Sequence, residues 1–258
     1  MKILVCVKQI PDSAETLSID DAAPCIIYEE ACVFRMNRYD EFALEEALRI
    51  RERFPGSAVD ALSVGPDRVK KTIQKSLEMG ADHGIHIREE SRDYLDPAAR
   101  ASLIEQYARR RAYDLILTGI MAEDDMECQV GQILAEKLGW PCATSIMHQN
   151  ISSAGLEVSV EREIEGGARE GLTIALPALL SVQSGINTPR YPSLSNVLRA
   201  RTQEIETIEN LETRPIMATQ TITGLSYPDA GATGEFFEGT PVDKARELVR
   251  VLHEHSIL

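Results

Sequence analysis

The residues best suited to chemistry lie in one short stretch, Ile120-Met121-Ala122-Glu123-Asp124-Asp125-Met126-Glu127-Cys128-Gln129, directly after Thr118-Gly119. Asp124 and Asp125 set two carboxylates side by side, and carboxylates accept hydrogen bonds from ribose hydroxyls. Gln129 opens a segment with helical pattern, and the first backbone N–H groups of a helix can hold a phosphate. Together these letters describe a nucleotide cradle. An acidic, solvated helix cap fits them equally, because Asp and Glu are common in a first helical turn.

Other chemistries lack their residues. The first apolar run is not followed by G-x-G-x-x-G, so the usual dinucleotide phosphate loop is missing. There is no G-x-x-x-x-G-K-[ST], no G-x-S-x-G and no H-E-x-x-H, which argues against Walker-type hydrolysis, a serine-nucleophile elbow and a zincin site. His83 and His86 have no third ligand nearby and read as surface or packing residues; His253 and His255 suit a helix C-terminus. Cys6, Cys25, Cys32, Cys128 and Cys142 form no C-x-x-C pair and read as reduced cytosolic thiols.

The elements that would position the acidic stretch follow from periodicity. Residues 3–7 (ILVCV) are a continuous apolar run, as in a strand buried on both faces, stopped by Pro11 and Asp12. Residues 13–37 read as a long loop or hairpin with turn signals at Asp20, Asp21 and Pro24 and a short strand over Cys25–Tyr28. Residues 37–53 form an amphipathic helix, acidic at its start and basic at its end, stopped by Pro55-Gly56. A strand over 59–64, a helix over 67–79 closed by Gly80, a short strand over 85–87, a helix over 97–111, a strand over 115–117 and a helix over 129–138 follow. This alternation predicts an α/β fold, a mostly parallel sheet sandwiched by helices. Ligands in such sheets sit at strand carboxyl ends, here residues 7–9, 63–66 and 118 onward. After 140 the pattern changes. Residues 156–163 and 170–175 alternate around Glu165-Gly166-Gly167, as in a β-hairpin, and 177–182 is a further apolar run. From 187 to about 232 periodicity is poor, and a helix over 241–255 closes the chain. The expected organisation is an α/β nucleotide-binding domain over 1–186 and an extended arm over 187–258.

The bulk numbers agree. The 258 residues carry 41 Asp and Glu against 27 Lys and Arg, a net charge of −14, which disfavours nucleic acid and anionic membranes. No stretch approaches the roughly 20 apolar residues of a membrane-spanning helix, and the opening MKILVCVKQIPD is too short in its apolar run for a secretory signal. The expectation is a cytoplasmic protein.

Residues 160–181, VEREIEGGAREGLTIALPALLS, resemble the signature of electron transfer flavoprotein beta subunits: Arg162, then Glu165-Gly166-Gly167, Glu170, and Pro177 followed by Leu179, Leu180 and Ser181. KILVCVKQIPD, MNRYDEFALEEAL, SVGP, MGAD and DLILTG-x-x-A-x-D-D occur in the family's order, so the resemblance spans the chain. It implies the adenine-nucleotide hydrolase-like fold and an arm that embraces an alpha subunit carrying most of a redox FAD. It also implies an AMP buried in this subunit, or a second FAD in electron-bifurcating relatives that use NADH. The heterodimer would take electrons from acyl-CoA dehydrogenases, in fatty acid β-oxidation, and pass them to a quinone oxidoreductase. Carried over, the nucleotide contacts would be Cys6, Met36, Asn37, Arg38, Asp40, Val64, Gly65, Ala122, Asp124, Asp125, Gln129, Val130 and Gly131. Residues 187–201 resemble the partner-recognition loop, with Leu194 as anchor beside Arg190 and Tyr191. Asp125, Met126 and Glu127 depart from the bifurcating pattern and add bulk and charge where a flavin needs room, favouring AMP. Tyr39-Asp40 and GEFFEG (234–239) resemble the bifurcating group. A stand-alone nucleotide-hydrolysing or adenylating enzyme would need S-G-G-x-D-S or H-x-G-H, both absent. A stress-type nucleotide-binding module would leave the arm without a purpose.

Overall fold

A computed structural model describes residues 1–20, 25–28, 31–90, 95–209, 219–228, 234 and 236–257. The expected turn at Asp21 and Pro24, parts of the arm (210–218, 229–233) and Glu235 of GEFFEG lie outside the described residues. The chain divides into two units, Met1–Thr223 and Gly224–Leu258.

The first unit is built on a nine-stranded sheet. Its strands are β1 (Lys2–Cys6), β6 (Ala58–Gly65), β7 (His83–Arg88), β8 (Leu115–Gly119), β9 (Cys142–Ile151), β10 (Glu157–Glu163), β11 (Arg169–Ala175), β12 (Ala178–Val182) and β13 (Ile205–Ile208), in the order β11-β10-β9-β12-β8-β1-β6-β7-β13. All neighbours from β9 to β13 run parallel; β10 and β11 add an antiparallel hairpin around Gly166 and Gly167. The expected parallel α/β sheet and hairpin are therefore present. Short pairs β2 (Gln9–Pro11) with β5 (Phe34–Met36) and β3 (Ser18–Ile19) with β4 (Ile26–Ile27) shape the N-terminal loop.

The helices are α1 (Arg38–Arg53), α2 (Lys70–Met79), α3 (Pro97–Ala108), α4 (Val130–Leu138) and α5 (Leu194–Ala200). Burial on both faces explains the uninterrupted apolar spelling of β1 and β8. One core holds Ile3, Val5, Leu44, Leu48 and Leu117 under α1; the other holds Leu4, Leu62, Ile104, Ile116 and Leu134 under α3 and α4.

Three elements differ from expectation. β9 had no visible alternation, because Ser145 takes left-handed backbone (φ 59°) inside the strand and shifts its faces. α5 and β13 fall where an arm was read; β13 pairs with β7 in parallel and closes the sheet edge. In the second unit, α6 (Pro241–Glu254) begins with a capping box between Thr240 and Asp243.

Candidate functional site

β1 is central. The chain continues from it to β6 on one side, while β8 lies on the other. Such a reversal leaves a crevice above the strand carboxyl ends. The N-terminus of α1 ties the two ends together. Asp40, buried, accepts the Lys8 N–H at Oδ2 (2.7 Å) and the Gly119 N–H at Oδ1 (3.0 Å). Asn37 donates from Nδ2 to the Met121 carbonyl (2.8 Å), accepts the Glu123 N–H at Oδ1 (3.2 Å), and its own N–H reaches the Lys8 carbonyl (2.9 Å). Asn37 is the N-cap of α1 yet makes no side-chain cap, because its amide serves the loop beyond β8. Gly119 is required by packing: an added Cβ would stand 2.5 Å from Asp40 Oδ1 and 2.6 Å from Tyr39 Cβ.

The crevice spans about 640 Å³ when the open solvent at its mouth is counted. Cys6, Leu62, Val64, Ile104 and Val130 supply an apolar wall, and Asn37, Thr118, Asp125, Glu127 and Gln129 supply polar groups. The loop over 120–128 forms its lip. Lys8 Nζ pairs with Asp124 Oδ1 and Asp125 Oδ2, each at 2.6 Å, and Arg100 Nη1 lies 3.8 Å from Asp125. Met126 and Cys128 hold left-handed backbone (φ 54° and 57°), strain that a loop keeps only when its surroundings over-determine it.

Burial sets the electrostatics. It pushes the Asp40 carboxyl up to about 7, against the two N–H donors and Asn37, which favour the anion. It raises the Glu127 carboxyl and holds the Cys6 thiol far above the usual thiol range, so Cys6 is an inert wall atom. Glu127 Oε1 accepts from Gln220 (3.0 Å), while Glu127 Oε2 and Thr118 Oγ1 are buried without a partner in the protein. Unpaired buried polar atoms on a cavity lining ask for a hydrogen-bonding occupant. Among the described residues no three His, Cys, Asp or Glu cluster as a metal site. The arrangement can bind and orient a ligand; it presents no activated nucleophile.

The structure brings Cys6, Asn37, Asp40, Val64, Ala122, Asp125, Gln129, Val130 and Gly131 to this lining. Met36 is buried in the core beside it, Arg38 donates its N–H to Glu123 (3.3 Å), Gly65 gives its carbonyl to His86 (2.8 Å), and Asp124 faces Lys8. Sequence reasoning missed Arg100; Lys8 and Thr118 fell within the strand ends it nominated without being singled out, and Glu127 was read only as bulk and charge at the site. Lys8 had a usable signal, a lone cation just past the first strand. His83 is a surface residue, its side chain 70% exposed and bonded to Asp60 (2.8 Å), and His86 is a packing residue, fully buried. Outside the crevice lining, Arg190 pairs with Glu45 and Glu52, and Tyr191 and Leu194 are exposed.

A family model described as "Electron transfer flavoprotein domain" matches residues 25–213. The chain belongs to the electron transfer flavoprotein family. Its relatives there are beta subunits. That of Bacillus subtilis (strain 168) is 30% identical over 261 residues, covering 99% of each chain. That of Dictyostelium discoideum is 32% identical, covering 100% of this chain and 99% of the relative. The mitochondrial one of Arabidopsis thaliana is 36% identical over 214 residues, 82% of this chain and 84% of its own. The chain thus stands with the beta-type subunits of that family. Among the described residues no helix is long and apolar enough to cross a membrane.

Proposed function

We propose that this subunit holds AMP in the crevice between β1 and β8 and completes the FAD site of an alpha subunit. The heterodimer carries electrons from acyl-CoA dehydrogenases to a quinone oxidoreductase in the cytoplasm. FAD, held mainly by the alpha subunit, supplies the redox chemistry; this chain supplies structure and docking. The observation that carries the AMP reading is the crevice at the switch point with Thr118 Oγ1 unpaired on its lining. Adenine fits the apolar wall of Cys6, Leu62, Val64 and Val130, and the α4 N-terminus faces the phosphate side. Glu127 and the Lys8–Asp125 pair narrow the mouth and set carboxylates where a second flavin would pass, which supports AMP over FAD.

The test is nucleotide content. Co-purified with its alpha subunit and denatured, the complex should release one FAD and one AMP per heterodimer by chromatography. Two FAD and no AMP would make it the bifurcating type and refute the steric argument. For docking, Leu194 stands 75% exposed at the start of α5, with Tyr191 96% exposed. Leu194→Ala should slow electron transfer from an acyl-CoA dehydrogenase roughly tenfold, as loss of a buried apolar anchor does, and leave AMP content unchanged. Normal transfer by this variant would remove the anchor role.

A further inference from the structure

The segment beyond β12 is bolted to one helix. Asn187 Nδ2 donates to the Phe42 carbonyl (3.0 Å) and to Glu46 Oε2 (2.9 Å). Arg190 donates Nε to Glu45 Oε2 (2.8 Å), Nη2 to Glu45 Oε1 (2.9 Å) and Nη1 to Glu52 Oε1 (2.5 Å), and its backbone N–H reaches Glu45 Oε2 (3.1 Å). A guanidinium laid along both oxygens of a carboxylate fixes direction as well as distance. Glu45 is only 5% exposed. A carboxylate buried on a helix is costly without such partners, so the pair commits both residues to one geometry.

All three side-chain nitrogens of Arg190 are therefore spent inside the chain. Just beyond it the surface turns apolar. Tyr191 and Leu194 are followed by Leu198, 54% exposed and four residues after Leu194 on α5, hence on the same helix side. Pro189 and Pro192 restrict the backbone between the ion pairs and this patch, and Ser193 caps α5 by accepting the Asn196 N–H (3.2 Å).

We propose that Arg190 is a positioning residue rather than a partner contact: with Glu45 and Glu52 it fixes the loop so that Tyr191, Leu194 and Leu198 meet a flavin dehydrogenase already formed. The inference rests on the docking reading above and assigns Glu45, on α1, to the same function. Preorganisation of this kind lowers the ordering cost at encounter and leaves the electron-transfer step untouched.

The experiment uses the heterodimer and a purified acyl-CoA dehydrogenase reduced by its acyl-CoA, with the flavoprotein concentration varied. The variants are Leu194→Ala, Arg190→Met, Arg190→Lys, Glu45→Gln and the pair Arg190→Met with Glu45→Gln. Arg190→Met and Glu45→Gln are each expected to raise KM for the flavoprotein about five- to tenfold, with kcat within about twofold. Arg190→Lys keeps the charge but cannot span the fork, so it should not rescue. The double variant should be no worse than the poorer single one, as for partners in one interaction. Melting temperature and nucleotide content report on folding; should Glu45→Gln fail to fold, the two Arg190 variants on the surface carry the test. A normal KM in Arg190→Lys, or in a folded Glu45→Gln, overturns the proposal in favour of a direct charge contact. A normal KM in Leu194→Ala instead removes the docking reading itself, and this inference with it.

Discussion

Gly119→Ala probes the joint on which the crevice depends. The new methyl carbon would stand 2.6 Å from Tyr39 Cβ and 2.9 Å from the Tyr39 carbonyl carbon. Ordinary contact begins at 3.4 Å, so the first turn of α1 must retreat about 0.8 Å (3.4 − 2.6). The Gly119 N–H to Asp40 bond, now 3.0 Å, would stretch to about 3.8 Å and fail. Overpacking of this kind costs about 1–3 kcal/mol. A hydrogen bond to a charged group contributes about 1.5–3 kcal/mol. The two overlap, and a combined loss of about 3 kcal/mol is expected. At about 2–4 °C per kcal/mol for a chain of this size, the melting temperature should fall by roughly 10 °C. The same retreat pulls Asn37 off the lip, so AMP recovered per heterodimer should drop well below one half. Gly171→Ala is the control, since nothing lies within 4 Å of its added carbon, and it should change neither reading. Differential scanning calorimetry and nucleotide chromatography on the same preparations decide the matter. A Gly119→Ala heterodimer with unchanged melting temperature and full AMP would show that α1 does not clamp the crevice as described.

Three further outcomes follow from the site. Thr118→Val removes a hydroxyl with no partner in the protein; AMP affinity by calorimetry should weaken about three- to tenfold, while the melting temperature of the nucleotide-free heterodimer holds. Lys8→Met leaves Asp124 and Asp125 without their shared cation; AMP should leave the complex several times faster in stopped-flow measurements, and the salt sensitivity of release should shrink. Asp40 titrates near 7 when folded against an ordinary 3.8. The folded chain therefore holds the extra proton between those values, and stability falls as pH rises through that window. Asp40→Asn cannot titrate, so wild type should lose ground to it from pH 5 to 7 by about 1 kcal/mol per unit; a constant difference in denaturation midpoints over that range would refute the assignment.

Most of the sheet was legible because β1 and β8 are buried on both faces and so are spelled in apolar runs, and β6 keeps enough of one despite its buried Asp60 and Ser63. The hairpin was legible from its glycines. β9 was not, because its backbone reverses faces at Ser145, and β13 was not, because Ile205-Glu206-Thr207-Ile208 is only four residues at an edge. Of the crevice, the acidic lip could be read because its residues are contiguous. Arg100 could not, since it arrives from the first turn of α3 and nothing in its neighbours distinguishes it from a solvated arginine. Asn37 and Asp40 were named only through the family resemblance, since by pattern alone they lie at an acidic helix start; the structure turns both side chains to the loops beyond β1 and β8. Arg190 read as a partner contact from its place beside Leu194, because ion pairs with residues some 140 positions earlier leave no local trace.

The sheet order also sets a timetable for synthesis. β8 lies between β1 and β12, and β12 in turn lies between β8 and β9. A chain emerging from the ribosome therefore completes β8 at residue 119 but lacks the strand that covers its second edge until residue 182. At roughly 5–20 residues per second that interval lasts several seconds. During it an apolar strand edge, Leu115-Ile116-Leu117, has no parallel neighbour on one side, and such edges invite pairing with other chains. Slower initiation or lower temperature, which spaces nascent chains apart, should raise the yield of soluble protein more than any change to the finished surface.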